Sequence, residues 1–133
     1  MEPHVSDVVR AMTRASDNEE ITFGEVVGAL IEAGVERYRA DLVTSTKTYY
    51  MADGSFEIMP CHVVEGPVAL EFSADGVKAA VRAIQGRTIK YREFCRRIAA
   101  AGCTDYLVSL TGRRAVYYGR SGDEHVEWFP GAR

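Results

Sequence analysis

Three polar side chains near the C-terminus are spaced so that they could support acid/base chemistry or bind a metal ion. Asp123, His125 and Glu127 are separated by single residues, and alternate residues of an extended strand lie on one face. Two carboxylates and an imidazole could serve as metal ligands or as a general acid and base. The competing interpretation, which we favour, is a solvated sheet face opposite a buried Val126 and Trp128, because the run holds no second histidine. His125, Glu127 and Asp123 therefore stay candidates only, and we predict no catalytic residue.

A thiol and an imidazole are adjacent at Cys61 and His62. Neighbouring residues of an extended chain point to opposite faces, so this pair does not readily form a nucleophile and its base. The three cysteines are odd in number and lack zinc-finger spacing, which fits a reducing compartment. The sequence therefore predicts no metal site, no cofactor and a cytoplasmic location.

Six of the seven tyrosines lie in segments that are predicted to be strands. Aromatic walls that carry hydroxyl groups suit a small molecule. The plainer interpretation is that tyrosine is a good strand residue, and that alternation puts half of these rings in the core. The sequence offers, as one hypothesis, a ligand site at the junction of two repeats that contains Tyr38, Asp41, Tyr49, Tyr106, Tyr117 and Glu127.

The elements that must position these residues occur twice. Residues 21–54 match residues 89–122 without a gap at an offset of 68, which is too long a match for one shared helix pattern, so we infer a tandem duplication. Upstream the offset is 72, which predicts a connector four residues longer in the first repeat. Downstream, Pro60 and Pro130 lie 70 residues apart, which predicts two extra residues in the last turn of the second repeat.

Each repeat is predicted to contain two helices followed by three strands. The first helices begin near Pro3 and after Ser73; the next helix opens with a capping box at Thr22. Gly34 and Gly102 end the second helices, and alternating apolar residues after them predict strands joined in hairpins. The predicted fold class is α+β, a tandem duplication of an ααβββ unit with an antiparallel sheet or sheets and four helices packed on one side.

The chain of 133 residues is predicted to be a single domain over residues 1–133. Its repeats cover about residues 3–60 and 73–130, and the linker 61–72 is apolar enough to add an edge strand, although Pro67 restricts where it could run. Whether the repeats form one sheet or two is left open.

Composition excludes several classes of partner. A net charge of −3 argues against a nucleic-acid surface. No stretch is long enough to span a membrane, and the N-terminal residues lack the basic and apolar regions of a secretory signal. We therefore predict no nucleic-acid partner and no membrane partner. A homodimer and a small-molecule ligand remain as predicted partners.

Three segments together resemble one family. Residues 34–41, residues 101–106 and the ending at residues 126–130 are similar to the bacterial domain-of-unknown-function family 1398, whose YbcV group is sometimes labelled phage-envelope-like. The resemblance implies a small single-domain bacterial protein and no established activity.

Three functions follow as hypotheses. The preferred one is a non-catalytic module that binds a small molecule or a protein at the repeat junction. The first alternative is a small hydrolase-like enzyme that uses Asp123, His125 and Glu127, or Cys61 and His62. The second alternative is a phage-derived structural protein, which only the label suggests.

Overall fold

The computed structural model describes residues 1–132, in which the element order ααβββ occurs twice. The helices are α1 (Pro3–Asp17), α2 (Phe23–Ala33), α3 (Ala74–Gln85) and α4 (Tyr91–Ala100). The strands are β1 (Val35–Asp41), β2 (Thr46–Met51), β3 (Phe56–Pro60), β4 (Cys103–Ser109), β5 (Arg114–Gly119) and β6 (Glu124–Trp128). They form one six-stranded antiparallel sheet in the order β3-β2-β1-β4-β5-β6. The predicted α+β class is confirmed.

Local signals at the helix ends agree with the sequence. The Thr22 side chain accepts a hydrogen bond from the Glu25 backbone N–H, and the Glu25 carboxylate accepts one from the Thr22 N–H, so the predicted capping box is present. Gly34 ends α2 in a left-handed conformation with φ 85°. The Ser73 side chain caps α3 by accepting a hydrogen bond from the Gly76 N–H. These caps satisfy backbone groups that a helix end leaves free.

The two ααβββ units meet at the centre of the sheet, where β1 pairs with β4. Arg39 lies opposite Leu107 at the middle of this pairing. The question of one sheet or two is therefore answered as one sheet, and the inner edge strand of each unit is protected by the other.

Backbone hydrogen bonds correct the two predicted changes of offset. The Asn18 N–H binds the Arg14 carbonyl at the end of α1, and the Gly86 N–H binds the Arg82 carbonyl at the end of α3, so the offset is 68 here too. The predicted longer connector is wrong, and α1 instead begins earlier, with 15 residues against 12 in α3.

The predicted insertion in the last turn is also wrong. Pro60 lies opposite Thr46 in the first unit, and Trp128 lies opposite Arg114 in the second. Pro60 therefore corresponds to Trp128 and not to Pro130. Ladder register, rather than residue identity, decides which positions correspond.

One face of the sheet is buried and the other is open. A single hydrophobic core contains buried side chains from all four helices and from one sheet face, including Tyr38, Tyr49, Tyr106 and Tyr117. The opposite face carries arginines beside aromatic rings, such as Arg37 over Tyr50 and Arg39 over Tyr118. The alternation of the strands thus separates the six predicted tyrosines into a buried set and an open set.

The linker 61–72 contains no strand, so the predicted edge strand is wrong. It instead crosses the end of α4, where the Ala69 N–H binds the Ala99 carbonyl and the Ser73 N–H binds the Ala101 carbonyl. The Arg120 guanidinium donates to the linker carbonyl of Val68 at 2.8 Å. These contacts fix the position of α4, which forms a wall of the site described next.

Candidate functional site

A cavity of about 770 Å³ lies where the two units meet. Its volume falls in the range of sites for small organic ligands. Strand residues Tyr38, Lys47, Tyr106, Ala115 and Tyr117 line it, as do the helix residues Val26, Val81, Tyr91 and Phe94. The two connectors between helices contribute the charged residues Glu19, Glu20, Arg87 and Lys90 to the lining. Further charges come from Glu25 on α2, Lys47 on β2 and Glu127 on β6.

Four of the predicted site tyrosines are brought together on the buried face. Tyr38 packs on Tyr49, and Tyr106 packs on Tyr117, with ring centroids 5.3 Å apart in each pair. Burial raises the pKa of all four phenols above the ordinary value, so their hydroxyl groups are neutral near pH 7. Tyr49 belongs to this cluster but does not line the cavity.

The hydroxyl groups of Tyr38 and Tyr117 face the cavity without a protein partner. The Tyr49 hydroxyl is hydrogen-bonded to Thr13 at 2.9 Å, and the Tyr106 hydroxyl is hydrogen-bonded to Tyr91 at 2.7 Å. Neither Tyr38 nor Tyr117 forms a side-chain hydrogen bond with residues 1–132. In that part of the chain, the one buried side-chain polar atom without a partner is His62 Nε2. The two unpaired phenols are therefore open to the cavity.

The difference between the two units explains which hydroxyl groups are left free. At the offset of 68, Val81 takes the position of Thr13, so Tyr117 has no hydroxyl partner of the kind that Tyr49 has. Phe23 takes the position of Tyr91, so Tyr38 has no partner of the kind that Tyr106 has. A different residue at one corresponding position thus leaves one tyrosine hydroxyl in each unit without a protein partner.

Lys47 is a site residue that the sequence interpretation missed. Its side chain is only 3% exposed, and its ammonium nitrogen lies 4.5 Å from the ring centroid of Tyr91. It forms no salt bridge or hydrogen bond with the rest of residues 1–132. Burial lowers the pKa of Lys47, partly offset by Cys95, Cys61 and Asp17. The sequence did contain a signal for this position. Lys47 is two residues before Tyr49 on β2, so the two side chains must lie on the same face of the sheet.

Asp41 is not brought to the tyrosine cluster. It lies opposite Thr46 and Asp105, on the open face of the sheet. Its carboxylate accepts hydrogen bonds from the N–H groups of Val43 and Thr44, both at 2.9 Å, in the turn after β1. Strand alternation separates Asp41 from Tyr38, so its inclusion in the predicted groove was an error of face.

The favoured prediction of a solvated face on β6 is wrong, because Glu127 and His125 lie opposite the buried Ala115 and Tyr117. Glu127 lines the cavity, where its carboxylate already has protein partners. Its carboxylate accepts hydrogen bonds from Arg82 at 2.9 Å and from His125 at 2.5 Å. Burial alone would raise the pKa of Glu127, but the hydrogen bonds from His125 and Arg82 outweigh it, so the pKa is lowered. Asp123 is exposed in the turn before β6 and does not join this pair. Within residues 1–132 no three His, Cys, Asp or Glu side chains are grouped to hold a metal ion.

The recorded side-chain partner of His62 is Asp17 and not the neighbouring Cys61. His62 Nδ1 lies 3.0 Å from Asp17 Oδ1. Burial raises the pKa of the Cys61 thiol, and it raises those of Cys95 and Cys103 to about 12. All three cysteines are free. None of the three thiols is activated as a thiolate near neutral pH.

Residues 61–127 match the family described as "Protein of unknown function (DUF1398)". The chain belongs to this family. The predicted resemblance is therefore confirmed at the level of the family, and the match covers the linker and nearly all of the second ααβββ unit. Lys47 and Tyr38 lie outside the matched residues. No curated protein matches the chain.

No helix within residues 1–132 combines the length and the apolar character that crossing a membrane demands.

Proposed function

We propose that this DUF1398 protein is a non-catalytic module that binds a small molecule in the cavity between its two units. The observation that carries the proposal is an aromatic cavity of about 770 Å³ into which two phenol hydroxyl groups open without a protein partner. Apolar walls with a few convergent polar groups are typical of ligand sites. Both units contribute, through Tyr38 in one and Tyr106 and Tyr117 in the other.

The enzyme alternative has less support from the contacts. The cysteine thiols have raised pKa values, which disfavours a nucleophilic role. His125 and Glu127 bind each other, and Glu127 also binds Arg82. The enzyme and phage-structural hypotheses stay predictions, as does the cytoplasmic location, with which three free cysteines are consistent.

A pair of glycine substitutions on α2 tests the binding site. Gly24 lines the cavity, and a Cβ there would meet nothing within 4 Å, so Gly24→Trp should fill the cavity without disturbing the fold. Gly28 is on the same helix, has the same free space and does not line the cavity, so Gly28→Trp is the matched control.

The expected result is a loss of affinity in one variant only. Gly24→Trp should weaken the binding of 2-naphthamide, a neutral aromatic probe, by about tenfold or more, which corresponds to at least ~1.4 kcal/mol. Gly28→Trp should bind as the unmodified protein does. Isothermal titration calorimetry measures both. Equal binding by all three proteins would place the probe outside this cavity.

We also propose a tandem duplication and a homodimer. Equal ladder registers and equal turn hydrogen bonds at one offset support the duplication. For the dimer, Phe56 and Ile58 are 57% and 56% exposed on the open sheet face. A two-fold dimer would cover these two side chains with the same surface of a second copy.

The dimer is tested by mass in solution. Static light scattering should give twice the mass of the chain, and Ile58→Lys should return the single-chain mass, because a charge would be buried in an apolar contact. Ile31→Lys is the control, since Ile31 is 53% exposed on α2, away from the sheet. A single-chain mass for the unmodified protein would reject the dimer.

A further inference from the structure

The chemistry of the cavity narrows the class of ligand, an inference that rests on the proposed function. We infer that the ligand is an aromatic carboxylic acid whose carboxylate binds Lys47 and Tyr38. The Lys47 side chain is only 3% exposed, and its ammonium has the Tyr91 ring beside it but no hydrogen-bond acceptor and no salt-bridge partner among residues 1–132. A charge in so poorly hydrated a place is costly unless a group of opposite charge pairs with it, so we expect the ligand to supply that group.

Lys47 and Tyr38 are neighbours on one face. Lys47 on β2 lies opposite Ala40, and Tyr38 is two residues before Ala40 on β1. Diagonal neighbours of this kind are about 7–8 Å apart between Cα atoms, so both side chains can reach one carboxylate. One ammonium and one phenol hydroxyl are two donors, which suit the two oxygens of a carboxylate.

The charge balance favours a single negative charge. The cavity lining offers Lys47 as its one buried cation, whereas Glu127 is already compensated by Arg82 and His125. A phosphate monoester with two charges would leave one of them uncompensated in an apolar site. The connector residues at the cavity, Glu19, Glu20, Arg87 and Lys90, carry both signs and do not by themselves select an anion.

The walls favour an aromatic body over an aliphatic chain. Tyr91, Phe94, Tyr106 and Tyr117 already contact one another at centroid distances of 5.3–6.5 Å. Further rings in such a cluster gain from edge-to-face geometry in addition to burial. Ala115 provides the room, because it stands where the first unit has Lys47, 68 residues earlier.

The experiment compares 2-naphthoate with 2-naphthamide, which has the same shape and no charge. At pH 7 we expect the acid to bind the unmodified protein about tenfold more tightly than the amide, since a charged hydrogen bond replaces a neutral one. Lys47→Met should remove this preference while the affinity for the amide changes by less than about twofold. Circular dichroism confirms that the variant is folded.

Two tyrosine variants locate the carboxylate. Tyr38→Phe should lower the affinity for 2-naphthoate by about threefold to tenfold, as expected for one lost hydrogen bond. Tyr50→Phe is the control, because Tyr50 also lies on β2 but on the open face, beside Arg37 and outside the cavity lining. We expect it to leave the affinity for the acid unchanged.

The outcomes separate the inference from the proposed function. If the acid and the amide bind the unmodified protein equally, or if Lys47→Met keeps the preference, the inference is wrong and the binding site stands. If neither probe binds at millimolar concentration, the proposed site for aromatic ligands is wrong as well. If Tyr38→Phe keeps the full affinity for the acid, or if Tyr50→Phe loses as much of it, the carboxylate is not held by Lys47 and Tyr38.

Discussion

Gly102→Ala should lower the free energy of unfolding by about 4 kcal/mol, a loss large enough to remove most of the stability of a small domain. Gly102 has φ 89°, and a Cβ there would lie 2.3 Å from the Glu71 carbonyl oxygen and 2.7 Å from Phe72 Cα. These are backbone atoms of the linker, which is itself tied to α4, so they cannot move aside independently. Urea denaturation monitored by circular dichroism measures the loss.

The first unit provides a matched control for this substitution. Gly34 occupies the corresponding position with φ 85°, but a Cβ there would meet only Met51 Cε at 3.7 Å. Gly34→Ala should therefore cost only the backbone strain, about 1–2 kcal/mol. Equal losses for the two variants would show that the linker does not press on Gly102, and the assignment of the linker as the support of α4 would fail.

Lys47→Met should raise the free energy of unfolding at pH 7 by about 1–2 kcal/mol, since the Lys47 charge has the Tyr91 ring but no anion beside it, and an apolar side chain of similar length removes its desolvation cost. Lys78, which is exposed on α3, supplies the control. Lys78→Met should change the stability by less than about 0.5 kcal/mol. A loss of stability in Lys47→Met similar to that of a core deletion would contradict the absence of a partner for Lys47.

The difference in unfolding free energy between Lys47→Met and the unmodified protein should become smaller as the pH rises. Burial holds the pKa of Lys47 in the folded chain below its ordinary value of 10.5, although Cys95, Cys61 and Asp17 partly oppose this effect. Between the two pKa values the unfolded chain binds more protons, so the stability of the unmodified protein rises with pH there. The advantage of Lys47→Met should thus be full below the folded pKa and vanish by about pH 10.5.

The tyrosines do not obscure this measurement. Burial raises the pKa of Tyr38, Tyr91 and Tyr106, so their contribution is complete below pH 10 and is lost above it. That loss is common to both proteins and cancels in the difference. A difference that is constant from pH 7 to pH 10.5 would show that Lys47 titrates normally.

The sequence predicted the elements well because their signals are local. The capping box at Thr22, the glycine after α2 and the alternation of β1 each depend on a few neighbouring residues. The offset of 72 between the first helices was wrong for a related reason. A shift of four residues is close to one helical turn of 3.6, so the apolar faces of α1 and α3 match almost equally well at either offset.

The site could be predicted only in part, because it depends on how the two units meet. Tyr38, Tyr106 and Tyr117 were predicted as site residues because tyrosines recur at matching strand positions of both repeats. Lys47 was not predicted, since lysine is rarely buried and its burial arises only where the two units enclose the cavity. Asp41 was predicted to be a site residue but is not one, because it lies on β1 with its side chain on the open face of the sheet.

The differences between the units, rather than their likeness, give the cavity its chemistry. At the offset of 68, Lys47 corresponds to Ala115 and Thr13 corresponds to Val81. The first difference gives the cavity a charge in one unit and space in the other. The second leaves the Tyr117 hydroxyl without a partner. The elements that both units share therefore provide the walls, and a few side chains that differ between the units provide the polar contacts that we propose to recognise a ligand.

A crystal structure of the protein with 2-naphthoate would show whether the cavity between the units holds a small aromatic acid. We expect a naphthalene ring against Tyr38, Tyr106 and Phe94, with the carboxylate about 2.7–3.2 Å from the Lys47 nitrogen. A ring bound elsewhere, or a carboxylate held by Arg87 or Lys90 in the connector α3–α4, would contradict it.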